Sequence, residues 1–172
     1  MITLMNEDYR AKRLEAKLID GKLIYKGEEW ILLRVESLKS MLLGLWEVFG
    51  SGAITIMIIS GEKIGYELAE RFKVRIMGEE RESAELLVSF LSESGWGKFT
   101  IKDYDPINKK AVIDVYDPSF YRGERPKTAK FCPLLRGIFI GFFSALWGFK
   151  ASCKEVSCII DGDNFCRFQV KG

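Results

Sequence analysis

No histidine occurs anywhere in the 172 residues. The commonest general base and the commonest metal ligand are therefore missing, and a metal site must be built from Cys, Asp or Glu. Charge of one sign is also lacking. Lys and Arg number 26 against 24 Asp and Glu, for a net +2, and no dense basic stripe is present to attract nucleic acid. No paired Cys-x-x-Cys occurs, no glycine-rich loop follows a strand in the dinucleotide pattern, and there is no phosphate-binding loop. Glu7, Asp8 and the charged run from Arg10 to Lys17 leave no apolar stretch for a secretion signal. The expectation is a cytoplasmic setting in which thiols stay reduced.

What the chain has in quantity is apolar and aromatic side chains, 48% and 13% of the residues. Two stretches approach membrane-span character. Met41 to Gly61 is broken at Gly50-Ser51-Gly52, and its halves read as two helices. Leu134 to Phe149 contains Arg136, follows Pro133 and is short of the about 20 apolar residues that a bilayer requires. No membrane insertion is expected. The length suits one domain spanning residues 1–172, with 1–20 read as an N-terminal extension.

The chain then divides by its periodicities. Lys22–Gly27 and Trp30–Val35 are apolar runs separated by Glu28-Glu29, a hairpin pattern. Leu38, Met41, Leu42, Leu45, Trp46 and Phe49 recur with a helical period, and Gly50 ends that helix. A second helix is predicted over about Ala53–Phe72 and a third over Glu79–Ser94, opening on acidic residues and closing at Gly95. Lys98–Asp103 and Lys109–Tyr116 form a strand pair around Asp105-Pro106-Ile107-Asn108. Asp117–Lys130 reads as an exposed excursion, and Asp103, Asp105, Asp114 and Asp117 as a solvated strand face. Pro133 opens a very apolar helix that runs to Trp147. Lys150–Ile160 and Phe165–Lys171 close the chain as a hairpin. The order β-β-α-α-α-β-β-α-β-β predicts an α+β domain with helices packed on an antiparallel sheet.

The four cysteines, Cys132, Cys153, Cys158 and Cys166, all lie in the last quarter of the chain. Cys158 and Cys166 flank the Asp161-Gly162-Asp163 turn, so they would face each other across the ladder. That placement suits a shared metal or a strained cross-strand disulfide. Cys132 sits at a helix start, where the helix dipole favours a thiolate. Cys153 and Glu155 are the nearest candidates for a fourth ligand. On a straight strand both lie opposite to Cys158, so either needs a bulge, and spacing does not choose between them. Four buried reduced thiols packed as small hydrophobes are the plainer alternative.

The tail Glu155-Val-Ser-Cys158, seven residues, then Cys166-Arg-Phe-Gln-Val, with Gly162 in the turn, resembles the C-terminal signature of the 4-vinyl reductase (4VR) domain family. Gly137 and Gly141 on one helix and Gly61 and Gly65 on another also match. That family is similar to the sensor domains of bacterial activators of aromatic catabolism and, distantly, to the TRAPP vesicle-tethering subunits. The resemblance implies a zinc held by Cys132, Glu155, Cys158 and Cys166, with Cys153 left as a free thiol. Four protein ligands leave no open position, so such a zinc is structural rather than catalytic. Lys154 and Arg167 are candidates to offset the anionic site.

The resemblance also implies an apolar pocket between helices and sheet. Trp46, Phe49, Trp96, Phe139, Phe142, Phe143 and Trp147 are core candidates from which its lining would be drawn. The phenol sensors use a pocket His that this chain lacks. No catalytic residue stands out, and reduction of a tetrapyrrole vinyl group would need a nicotinamide or flavin site, which no motif supplies. The leading expectation is a sensor-type domain for an apolar small molecule, signalling through a homodimer or an effector protein. An assembly module like the tethering subunits is the alternative, with a reductase third.

Overall fold

The computed structural model describes residues 16–25, 27–72, 74, 79–121 and 131–172. It is an α+β arrangement, as the sequence predicts. Strands β1 (Ala16–Ile19), β2 (Lys22–Tyr25) and β3 (Glu28–Trp30) form an antiparallel meander. Helices α1 (Val35–Phe49), α2 (Gly52–Arg71) and α3 (Glu80–Glu93) follow. Strands β4 (Lys98–Asp105) and β5 (Lys110–Tyr116), helix α4 (Cys132–Trp147), and strands β6 (Ser152–Ser157) and β7 (Cys166–Lys171) complete the chain. The four later strands form one antiparallel sheet in the order β4-β5-β7-β6.

The N-terminal hairpin differs from expectation. Its second strand ends at Trp30, and Ile31 and Leu32 are 89% exposed instead of paired. The partner that sequence reading missed is β1, which registers Ala16 opposite Tyr25. The two-residue turn Asp20-Gly21, with both residues at positive φ, makes that pairing tight. Residues 1–15 of the expected extension lie outside the described residues, as do 122–130 of the expected excursion. The start of that excursion is not exposed, because Ser119, Phe120 and Tyr121 form a buried 3₁₀ turn.

Helix α4 is the centre of the domain. Every residue in it except Arg136 is buried. On one side Phe139 meets Phe168 of the sheet at 5.1 Å between ring centroids, and Phe99 at 6.4 Å. On the other side α4 meets α2 backbone to backbone through Gly61, Gly65, Gly137 and Gly141. A methyl group built on Gly61 would come within 2.8 Å of the Gly137 Cα, closer than real Cβ contacts allow. Only glycine permits this approach. The sequence's two small-xxx-small pairs thus serve intramolecular packing. Among the described residues no helix is long and apolar enough to cross a membrane.

At its C-terminal end α4 is tied to its neighbours by polar contacts. Trp147 Nε1 donates to the Tyr104 hydroxyl at 3.2 Å, and that hydroxyl donates to Glu80 at 2.9 Å. Lys109 Nζ completes the network at 2.5 Å from Glu80. Asp114 departs from the solvated face expected for it: it is fully buried and bonds Arg167 through both carboxylate oxygens, at 2.6 and 2.8 Å. Arg167 is therefore committed to the sheet face opposite Cys166, and it does not offset a charge at the cysteines.

Candidate metal centre and an apolar groove

Four chain segments deliver the cysteine cluster. Cys132 is the first residue of α4, Glu155 lies in β6, Cys158 sits in extended backbone just beyond that strand, and Cys166 opens β7. The face problem posed by Glu155 and Cys158 is solved by a bulge. Glu155 pairs with Phe168, but Ser157 already pairs with Arg167, so two residues of β6 are spent against one of β7. The alternation resets, and both side chains reach the side of the sheet occupied by Cys166. The turn is wider than expected from Asp161-Gly162-Asp163 alone. A 3₁₀ turn over Ile159–Asp161 precedes Gly162, whose φ of 104° suits glycine.

One ligand atom from each of Cys132, Glu155, Cys158 and Cys166 lies within 4.8 Å of all the others. Cys132 Sγ is 3.9 Å from Cys158 Sγ and 3.7 Å from Cys166 Sγ. A tetrahedral zinc with Zn–S bonds near 2.3 Å places its sulfurs about 3.8 Å apart. The observed separations therefore fit the ion without rearrangement. Disulfide bonding would require about 2.05 Å, and all four cysteines are free.

The surroundings suit thiolate ligands. The Ile159 amide donates to Cys166 Sγ at 3.4 Å, and the Tyr121 hydroxyl donates to Cys132 Sγ at 3.4 Å. That hydroxyl in turn accepts the amides of Phe131 at 2.8 Å and Cys132 at 3.3 Å, which fixes the start of α4 around it. The Cys158 amide donates to Asp163 at 2.8 Å, holding the turn in place. Hydrogen bonds from Cys132 and Cys166 hold the Cys158 thiol far below its ordinary range, with smaller help from Glu155 and the Ile160 amide. The same bonds to Cys158 and Cys166 raise Cys132, and burial adds to the effect.

Cys153 lies outside the cluster. Burial pushes its thiol up to about 12, against the opposing field of Arg136. Arg136, one turn beyond Cys132, is therefore the cation nearest this region, in place of the expected Lys154 and Arg167. A cavity of about 180 Å³ lined by Glu155, Ser157, Cys158, Asp161 and Asp163 opens beside the cluster and links it to solvent.

A second feature lies on the far side of α4. A groove of about 290 Å³ runs between the β2–β3 hairpin, α2 and α3, with Ile138 of α4 at one wall. Trp30, Ile64, Leu68, Phe90, Leu91 and Trp96 supply most of its apolar surface, and Arg71 with Glu28, Glu29 and Glu67 its polar groups. Of the aromatic residues singled out from sequence, Trp96 lines this groove. Phe139, Phe142, Phe143 and Trp147 are buried in the core around α4, while Trp46 is half-buried on α1 and Phe49 is 54% exposed there. Trp30, Phe90 and Arg71 were not singled out. The one signal for them was the apolar run beginning at Trp30, whose burial depends on helices far along the chain.

Residues 111–172 match the 4-vinyl reductase (V-4-R) domain family, a segment that contains all four clustered ligands. No curated protein matches the sequence. Among solved structures, the phenol-responsive sensory domain of the transcription activator PoxR, with phenol, superposes with a TM-score of 0.75 at 20% identity. That likeness covers 94% of this chain and 85% of the other. A trafficking protein particle complex subunit 3 from Naegleria fowleri, covalently bound to palmitic acid, gives 0.62 at 13% identity, over 80% and 91%. A vinyl-4-reductase family protein from Methanocaldococcus jannaschii gives 0.57 at 17%, over 83% of each chain. The sequence match bears out the 4VR resemblance, and the structural likenesses establish the fold they share.

Proposed function

Taking as premise that residues 111–172 carry the 4VR signature, we propose that this chain is a sensor-type domain that takes up an apolar small molecule. The observation that carries this reading is the groove walled by Trp30, Ile64, Leu68, Phe90, Leu91 and Trp96, a concave apolar surface with few polar groups. The fold shared with a phenol-responsive sensory domain supports it. Ligand uptake is tested by native mass spectrometry of protein from cell extract, followed by thermal-shift screening against neutral aromatic and aliphatic compounds. A co-purified organic molecule or a ligand-dependent rise in melting temperature is expected. Neither one appearing would remove the reading.

In this reading zinc is a structural cross-link, bound by Cys132, Glu155, Cys158 and Cys166, which ties the start of α4 to the β6–β7 hairpin. The free thiols suit a reducing, cytoplasmic setting. Output would pass through a homodimer or an effector protein. Support for the dimer comes from Ile31 and Leu32, both 89% exposed, and from Met41, Val48 and Phe49 on α1, at 63%, 74% and 54%. Sedimentation at micromolar concentration should give a dimer, and a monomer would remove that part. The same exposed strip favours a second reading, an assembly module. It would gain if the groove took no ligand while the chain associated stably.

A further inference from the structure

We infer that the groove selects an organic cation: a protonated amine whose apolar body lies against Trp30, Trp96, Leu91 and Ile138. This deepens the small-molecule reading and rests on it. Its basis is the charge and the ring chemistry of the groove lining. Three carboxylates, Glu28, Glu29 and Glu67, face one guanidinium, Arg71. Glu28 is ion-paired with Arg71. Glu29 is 3.3 Å from Lys22, in a pair whose side chains are 61% and 59% exposed, so water screens it heavily. No cation among the described residues pairs with Glu67. The lining is therefore net negative, and an anionic ligand would be repelled from its mouth.

The rings point the same way. Arg71 Cζ lies 4.9 Å from the centroid of Phe90 and 5.8 Å from those of Trp30 and Phe72. Aromatic faces carry partial negative charge and attract cations, with tryptophan the strongest. In this groove the protein's own guanidinium occupies such a site, flanked by three rings and held by one carboxylate. Arg71 is thus an internal example of the group that the lining favours. Trp30 and Trp96 offer further aromatic surface beside it, and Glu67, one helical turn before Arg71 on α2, supplies the counter-charge for a second cation. Leu68, Leu91 and Ile138 then cover a hydrocarbon body, and the size of the groove suits a single-ring compound with a short chain.

The test is calorimetric titration of the full chain with three probes of one shape: 3-phenylpropylamine, 3-phenylpropan-1-ol and 3-phenylpropanoate. The amine is expected to bind at least tenfold more tightly than the alcohol, with the acid weakest. Glu67→Gln should weaken the amine at least fivefold and leave the alcohol unchanged. Glu67 is exposed, so the variant should keep its melting temperature. Equal binding of amine and alcohol would overturn the cation selectivity while leaving small-molecule uptake intact. Tightest binding by the acid would overturn it too, and would make Arg71 the anchor of an anionic ligand. If none of the three binds but neutral compounds bind elsewhere, unaffected by Trp30→Phe, the groove is the wrong site. If nothing binds at all, the sensor reading falls with it.

Discussion

Glu155 and Cys158 reach the same side of the sheet although three positions separate them, because the bulge between Glu155 and Ser157 resets the strand's alternation. Without it, Cys158 would face Arg167 and Asp114, and the cluster would lose one of its three sulfurs. The bulge is the local irregularity that makes a four-ligand site out of an otherwise regular hairpin.

One zinc per chain is expected by elemental analysis of protein kept reduced. Cys158→Ser should abolish it, Glu155→Ala should weaken it, and Cys153→Ser should leave it unchanged. Because the ligands join α4 to the β6–β7 hairpin, chelation should lower stability by several kcal/mol, a fraction of the roughly 10–16 kcal/mol reached in zinc-finger peptides. Metal-free protein of unaltered stability would end the proposal. Zinc lost on Cys153→Ser but kept on Glu155→Ala would exchange the fourth ligand.

Tyr121→Phe removes one hydroxyl that serves three partners, the amides of Phe131 and Cys132 and the Cys132 sulfur. Each buried amide left without an acceptor costs about 1–3 kcal/mol. Loss of an orienting group typically weakens metal binding about 10- to 100-fold. Competition against a chromogenic chelator measures the affinity. Unchanged affinity in a destabilised variant would show that Tyr121 serves the helix start alone.

Glycine at the α2–α4 crossing is predicted to be irreplaceable. A Cβ on Gly65 would fall on the Ile138 carbonyl and within 2.7 Å of the Phe142 amide nitrogen. Backbone on a buried helix cannot move aside cheaply, so Gly65→Ala should cost about 3 kcal/mol or more. Gly44→Ala on α1 is the control, with nothing within 4 Å of its Cβ, and it should stabilise by up to about 1 kcal/mol through helix propensity. Chemical denaturation measures both. Equal effects from the two would contradict the packing argument.

The fold was legible where chain punctuation was strong. Gly50, Gly95 and Pro133 mark helix limits that the structure reproduces within a residue or two. The metal quartet was legible too, because thiols are rare enough for their spacing to be informative, although the spacing alone did not choose Glu155 over Cys153. The groove was not legible. Its walls come from β3, α2, α3 and α4, and Trp30 meets Phe90 only once the chain has folded back over sixty positions. Strand β1 escaped because its four residues are all exposed, leaving no alternation to read.

Alkaline stability should depend on Cys153. Burial raises this thiol's folded-state pKa to about 12 from an unfolded value near 9, so the folded protein holds the proton more tightly. Its contribution is complete below about pH 9 and is lost as the pH climbs toward 12. By pH 10.5 wild type should have lost on the order of 2 kcal/mol relative to Cys153→Ala, each compared with itself at pH 8. Denaturant midpoints at the two pH values measure this. Parallel losses in both proteins would assign the alkaline sensitivity elsewhere, with Tyr104, also raised to about 12 chiefly by burial, the next group to test.

The glycine crossing has a mechanical consequence as well. Side-chain layers between helices can yield by changing rotamers, but carbonyls and α-carbons in direct contact cannot. Helices α2 and α4 therefore move as one stiff body. Arg71 and Ile138 line the groove from this body, and Cys132 heads its far end. A displacement applied at the groove would be delivered undamped to the start of α4, where the cysteine cluster clamps that helix to the edge of the sheet.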